Sequence, residues 1–207
     1  NTKAKGIKKD LRYYLHCLNR IYVSYASDYL LACSNLAGEW VFGRKAVKKE
    51  KVRIIPNAIL IEKYKYDESI RKKVRNEFNI DENKFVIGNI GRFAYQKNQL
   101  FLLEIFKEIK RKNKDALLLI VGDGELRLQI EKRITDLGLT DSVILTGVRS
   151  DVPALLQGMD AFVLPSHFEG LGIVLIEAQA SGLQCFTSKH TVPDQVNITG
   201  NVEFIEL

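Results

Sequence analysis

Cysteine is scarce, and the three present, Cys17, Cys33 and Cys185, lie far apart. They form no CxxC pair and no Cys/His metal-ligand spacing, so neither a disulfide framework nor a zinc site is expected. Free thiols in a reduced cytoplasm are the expectation instead. Long apolar runs are also lacking. No stretch reaches the roughly 18 residues that a membrane-spanning helix needs. The first apolar segment is broken by Arg12, His16 and Arg20 and does not read as a secretory signal. Neither a GxxxxGK[ST] phosphate loop nor a GxGxxG dinucleotide turn occurs. No nucleic-acid recognition motif accompanies the positive charge, so no nucleic-acid partner is expected.

What is present suits a globular protein. The chain has 207 residues, 46% apolar and 27% charged. That allows one large domain, or one domain plus part of another. The net charge of +6 is uneven: residues 1–53 hold 12 Lys/Arg against 4 Asp/Glu, a balance of +8, which leaves −2 for the remainder. A basic, tyrosine-rich leading segment could meet an anionic membrane surface or an acidic partner. A solvated face, or one covered by something else, is the plainer reading.

Along the chain, 7–25 reads as an amphipathic helix with Leu11, Leu15, Leu18, Tyr22 and Tyr25 on one side. Residues 28–34 read as a strand, and Ser34 or Asn35 caps a short helix that ends at Gly43. Residues 52–57 read as a strand stopped by Pro56, 58–66 as a connecting loop and 67–79 as a charged helix. A regular alternation then begins. Strands are predicted at 85–90, 116–122, 142–147, 161–166, 183–188 and from 202, with helices at 99–112, 125–138, 151–158 and 172–181. Apolar strands alternating with helices predict a doubly wound parallel α/β sheet, covered on both faces. Ligands on such sheets bind outside the carboxyl ends of the strands.

The residues with chemistry gather at those ends. In "GNIGRFAYQKN" (88–98) a strand stops at Gly91 and a helix starts near Asn98. Arg92 and Lys97 lie between, where a helix N-terminus and two cations suit a diphosphate; solvated surface cations are the alternative. "VGDGELR" (121–127) reads as a tight turn capping its helix, because an acid between two glycines does not suit phosphate. "PSHFEGLGIVLIEAQASG" (165–182) holds Glu169 and Glu177, eight positions apart. Gly170 and Gly172 permit close backbone approach, and the N–H groups of Leu171, Gly172 and Ile173 open a helix. Carboxylates repel phosphate but accept hydrogen bonds from hydroxyls. Glu169 therefore suits sugar hydroxyls, and Glu177, inside an apolar run, suits the vicinal hydroxyls of a ribose. A salt bridge or cap for Glu177 and a solvated acid for Glu169 are the plainer readings of each alone.

From about residue 28 the chain resembles the nucleotide-sugar-binding half of a retaining glycosyltransferase of family 4 (group 1), with the GT-B architecture. "IPNAI" (55–59), "GRFAYQKN", "VGDGELR", "LTGVRSDVPALL" (145–156), "MDAFVLPS" (159–166) and "EGLGIVLIEAQASG" carry the resemblance. It implies a Rossmann-like donor domain over 58–207, preceded by the tail of an acceptor domain and a linker over 1–57, in a chain cut from a longer protein. It implies sugar transfer with retention from a nucleotide-diphosphate donor, a UDP-sugar first, to a glycan or lipid-linked acceptor. No cofactor and no metal is expected. The setting is surface polysaccharide assembly (capsule, exopolysaccharide or lipopolysaccharide) in the cytoplasm, at the inner face of the plasma membrane. Arg92 and Lys97 match the pair that neutralises the leaving diphosphate, and Glu169 and Glu177 the acids at the donor sugar and the ribose. Gly147, Val148 and Arg149 fall in the base-contacting region, and Gly91, Gly170, Leu171, Gly172 and Ile173 in the donor-binding turns. Ala58 departs from the glycine common there, and His16, His167 and His190 are not obvious counterparts of the histidine usual in the acceptor domain. Another GT-B enzyme such as an epimerase, or a nucleotide-binding module without chemistry, stays open.

Overall fold

The computed structural model describes residues 11–206, with side chains from Tyr14 onward. In chain order the elements are α1 (Leu11–Ala26), β1 (Leu30–Ala32), α2 (Asn35–Phe42), α3 (Arg44–Lys48), β2 (Val52–Ile54) and α4 (Glu68–Glu77). Then follow β3 (Phe85–Ile90), α5 (Gln99–Lys112), β4 (Ala116–Val121), α6 (Arg127–Asp136), β5 (Val143–Leu145) and α7 (Val152–Gln157). Last come β6 (Ala161–Leu164), α8 (Ile173–Ala180), β7 (Gln184–Ser188) and β8 (Val202–Ile205). Residues 7–10 of the expected first helix lie outside the described residues.

Six strands form one sheet in the order β5-β4-β3-β6-β7-β8, with every neighbouring pair parallel. The chain runs outward from β3 to one edge, then returns to β6 and runs to the other. The reversal leaves a crevice at the carboxyl ends of β3 and β6, the switch point where such sheets hold ligands. Side-chain alternation supplies both faces. Val86, Leu119, Val121, Phe162 and Leu164 face a core with α7 and α8. Ile87, Leu118 and Ile120 face another with Leu102, Leu103 and Phe106 of α5 and Ile130 of α6. At the opposite end of the sheet the fully buried Arg75 donates to the Gly158, Asp81, Glu82 and Lys84 carbonyls and to Asp160 at 2.7 Å. Its buried charge is thereby paired and fully hydrogen-bonded.

β1 and β2 make a separate two-stranded parallel sheet. Ser34 caps α2 as expected, accepting from the Ala37 N–H at 3.1 Å. Its hydroxyl also donates to the Gly170 carbonyl, which joins this small sheet to the turn after β6. On the expected apolar side of α1, Leu15, Leu18, Tyr22 and Tyr25 are all exposed, and the Leu11 side chain lies outside the described ones.

The turn after β4 departs from expectation. Asp123 does not cap α6; its Oδ1 accepts from the adjacent Gly124 N–H, and α6 begins only at Arg127. The glycines serve a close approach instead. A Cβ on Gly122 would lie 2.0 Å from the Gly91 carbonyl oxygen, and one on Gly124 2.5 Å from that of Phe93. Backbone bonds from Phe93 to Asp123 and from Leu126 to Phe93 close the contact. The turn is a seat for the loop after β3.

A candidate donor cleft at the switch point

A cleft of about 480 Å³ opens at the carboxyl ends of β3 and β6. Arg92, Lys97, Glu169 and Glu177, spread over 86 positions of the chain, all line it. The loop Gly91–Asn98 supplies the cations. Gly91 has a local reason: a Cβ there would lie 3.1 Å from Cδ and Cε of Lys97, so the glycine lets the lysine stem cross the strand end. The turn after β6 supplies Glu169, Leu171 and Gly172. Gly172 adopts φ +77°, where side chains are strained, and starts α8. The first-turn N–H groups of α8 have no carbonyl ahead of them in the helix, and Leu171, Gly172, Ile173 and Val174 line the cleft. They present a positive dipole end to it. Apolar walls come from Ile90, Val152 and Leu171.

Lys97 and Glu169 do not stand apart. Lys97 Nζ lies 2.7 Å from Glu169 Oε1, and the two side chains are 18% and 7% exposed. The fully buried Ser166 donates to the same oxygen at 2.7 Å. Gln96 donates to Glu169 Oε2 at 3.4 Å and to the Phe168 carbonyl at 3.0 Å. The two loops are thus laced together across the crevice, and a bond from the His167 N–H to the Gln96 carbonyl adds a backbone link. Arg92 differs: its side chain is 75% exposed, and its partner, Glu125 at 3.1 Å, is exposed as well. It is free to turn toward an anion. Glu177 accepts at Oε1 from the hydroxyl of the buried Tyr64 at 2.8 Å. Burial, then the bond to Glu177, push the Tyr64 hydroxyl up to about 12.

Four expected residues are not in the lining. Gly170 faces α2, with its carbonyl taken by Ser34. Gly147 closes the end of β5, accepting from the Gly122 N–H. Val148 is 80% exposed. Arg149 is clasped by Asp151 through Nε and Nη2 at 2.8 and 2.7 Å, and by Glu77 at 2.6 Å. That clasp takes three of its five N–H donors, including the Nε/Nη2 fork. His167 stacks on Tyr95 with centroids 4.4 Å apart, outside the lining, and burial lowers its pKa. Conversely, Cys33 and Asn57, from the segment before the main sheet, do reach the cleft. Sequence reasoning also misses Tyr64, Ser166 and Gln96. Of these only Ser166, at a strand end three positions before Glu169, carries a local hint.

Chemically, the site offers cations and helix N–H groups beside two carboxylates. It suits a ligand that is anionic in one part and hydroxylated in another. Among the described residues no group of three His, Cys, Asp or Glu gathers as a metal ligand set, and no helix is long and apolar enough to cross a membrane.

Residues 70–205 match the family model described as glycosyl transferases group 1. The chain belongs to that family. Among curated relatives, the group 1 chain is 32% identical over 206 residues to the UDP-Gal:alpha-D-GlcNAc-diphosphoundecaprenol alpha-1,3-galactosyltransferase of Escherichia coli, covering 97% of this chain and 49% of that one. It is 29% identical over 204 residues to the capsular polysaccharide biosynthesis glycosyltransferase CapM of Staphylococcus aureus, covering 95% and 53%. The chain therefore spans about half the length of these relatives. Among solved structures, Anabaena HepE in complex with UDP and glucose matches with a TM-score of 0.74 at 25% identity, covering 84% of this chain and 47% of that one. The fold is the α/β, Rossmann-like one of GT-B glycosyltransferases.

Proposed function

We propose that this chain is the donor-binding part of a retaining family 4 glycosyltransferase, which moves a sugar from a nucleotide diphosphate to a glycan or lipid-linked acceptor. The observation that carries the reading is the meeting of Arg92, Lys97, Glu169, Glu177 and the first turn of α8 in one cleft. In this reading the diphosphate lies on Arg92, Lys97 and the α8 N–H groups, the sugar hydroxyls on Glu169 and the ribose on Glu177. As the glycosidic bond breaks, charge grows on the leaving phosphate, and the fixed cations and helix end stabilise it where it develops. The retaining step is front-face attack by the acceptor with help from the leaving phosphate. Glu169, already engaged by Lys97 and Ser166, holds the sugar rather than attacking it. The chemistry asks for no metal.

The base lies toward the loop 147–151. With Arg149 clasped by Asp151 and Glu77, its contacts there come from backbone groups and Val148. UDP is the first nucleotide to try, because the Escherichia coli relative uses UDP-Gal and the HepE structures hold UDP or UDP-glucose. The acceptor in surface polysaccharide assembly is a lipid-linked sugar or growing glycan, and the enzyme works in the cytoplasm. The exposed Leu18, Ile21, Tyr22 and Tyr25 of α1 belong to the face turned to the rest of the enzyme or to the anionic inner membrane surface.

The test is calorimetric titration with UDP, GDP and ADP, followed by a radiolabelled-sugar transfer assay on the intact enzyme. Binding of one diphosphate in preference to its nucleoside, and product with a retained anomer, support the reading. No binding of any of the three overturns it.

A further inference from the structure

Tyr64 is a buried group behind the cleft, bonded to an acid of its lining, that the proposed reaction leaves unused. It follows a short turn at Ile61–Lys63, and its ring packs in the core shared with Val174, Leu175 and Ala178 of α8. Its hydroxyl ends at Glu177 Oε1, 2.8 Å away. A buried tyrosine hydroxyl needs a partner, and here the partner is an acid that lines the cleft. A phenylalanine would fill the same core volume without that bond.

The consequence lies with the carboxylate. Among the described residues, Tyr64 is the only donor to either oxygen of Glu177. A carboxylate has about four acceptor sites, so one is taken and Oε2 stays open to a ligand. Without the hydroxyl, the Glu177 side chain is held by its rotamer alone, and a ligand must order it on binding. We infer that Tyr64 is a positioning residue: by fixing Oε1 it presents Glu177 to the ribose hydroxyls and sets the preference for ribonucleotide over 2′-deoxyribonucleotide donors. The inference rests on the proposed ribose role of Glu177.

The hydroxyl is poorly acidic, held up at about 12 by burial and by Glu177, so it acts as a donor throughout the working pH range. The effect is therefore one of geometry, without a pH switch of its own near neutrality.

The experiment uses the full chain and whichever of UDP, GDP and ADP binds best, each against its 2′-deoxy analogue. Y64F should weaken the ribonucleotide roughly threefold to tenfold, the range of one hydrogen bond. The deoxy analogue should be held as before, so the ratio between the two falls. In an E177A background, Y64F should change neither. A general packing defect would instead weaken both ligands in both backgrounds and overturn the inference. Unmutated protein carrying 13C-labelled tyrosine gives an independent reading: the Tyr64 Cζ resonance should move more with the ribonucleotide than with its deoxy analogue. If E177A abolishes the preference while Y64F leaves it intact, the inference fails and the ribose role of Glu177 stands. If E177A itself leaves the preference unchanged, the ribose role fails and takes the inference with it.

Discussion

Lys97 and Arg149 both follow strands of the same parallel sheet, and both are paired with carboxylates. Their partners differ in kind. Arg149 is gripped by Asp151, two residues on, and by Glu77 at the end of α4, and its guanidinium lies 5.7 Å from the centre of the Phe78 ring. Those acids hold its pKa above the usual arginine value. Lys97 instead meets an acid 72 positions away that itself faces the cleft. One pair staples α4 to the start of α7. The other is poised at a ligand site, where a diphosphate can share the ammonium and a sugar the carboxylate. A cation at a strand end is thus not a phosphate ligand by position alone; what its partner does decides.

Substitutions can break or sharpen this contrast. The largest effect is expected for K97A. Loss of one charged hydrogen-bond partner costs about 1.5–3 kcal/mol, so nucleoside diphosphate affinity should fall roughly tenfold to hundredfold while uridine binding barely changes. Calorimetry with both ligands reads this, and equal losses would count against the role. E169Q sharpens the contrast in the other direction. It removes the charge that holds Lys97, so UDP alone should bind as well or better, while sugar transfer by the intact enzyme drops. Weaker UDP binding in E169Q would show that Glu169 only orders the loop.

R92A should cost less than K97A, about 1 kcal/mol or under, because the Arg92 side chain is 75% exposed and screened by solvent. Raised salt should shrink the difference further. R149A should leave diphosphate affinity within about twofold but lower the melting temperature by about 2–4 °C, the shift expected for about 1 kcal/mol in a domain of this size. The sign with pH follows from Asp151. Its hydrogen bond with Arg149 holds its pKa below the usual carboxylate value. The stabilisation is present above the unfolded value near pH ~4 and is lost as pH falls through the lowered one. The gap between R149A and the parent should therefore close in acid. The smallest effect concerns thiols. Burial pushes Cys185 up to about 12, so it should resist a thiol reagent in the folded chain. Cys33, which lines the cleft, should react and be slowed by bound nucleotide.

Much of this is legible in the sequence because it is local. The bounds of β3 and α5 follow from apolar runs of the right length and period, and Ser34 and Gly43 bracket α2 as capping chemistry requires. That the strand ends converge follows from alternation alone. What is not legible is long-range. "VGDGELR" reads as a tight turn that caps its helix, yet α6 starts only at Arg127, because the Gly91 carbonyl lies on Gly122 and the Phe93 backbone on Gly124. Lys97 and Glu169 read as groups with separate ligands, and only the adjacency of β3 and β6 shows that they touch. Arg149 falls in the loop that the resemblance gives to base contact, and the pull of Glu77, 72 positions earlier, leaves no trace in its own neighbourhood. Tyr64 sits in a stretch that reads as a plain connecting loop, with nothing nearby to mark it as the partner of Glu177.

The most direct measurement is an amide map of the labelled chain titrated with a nucleoside diphosphate. The N–H signals of Gly91, Leu171, Gly172 and Ile173 should shift together and saturate at one affinity, while those around Arg75 and Asp160 at the far end of the sheet stay still. Shifts centred away from the β3 and β6 ends, or none at saturating ligand, would contradict a donor site in this cleft.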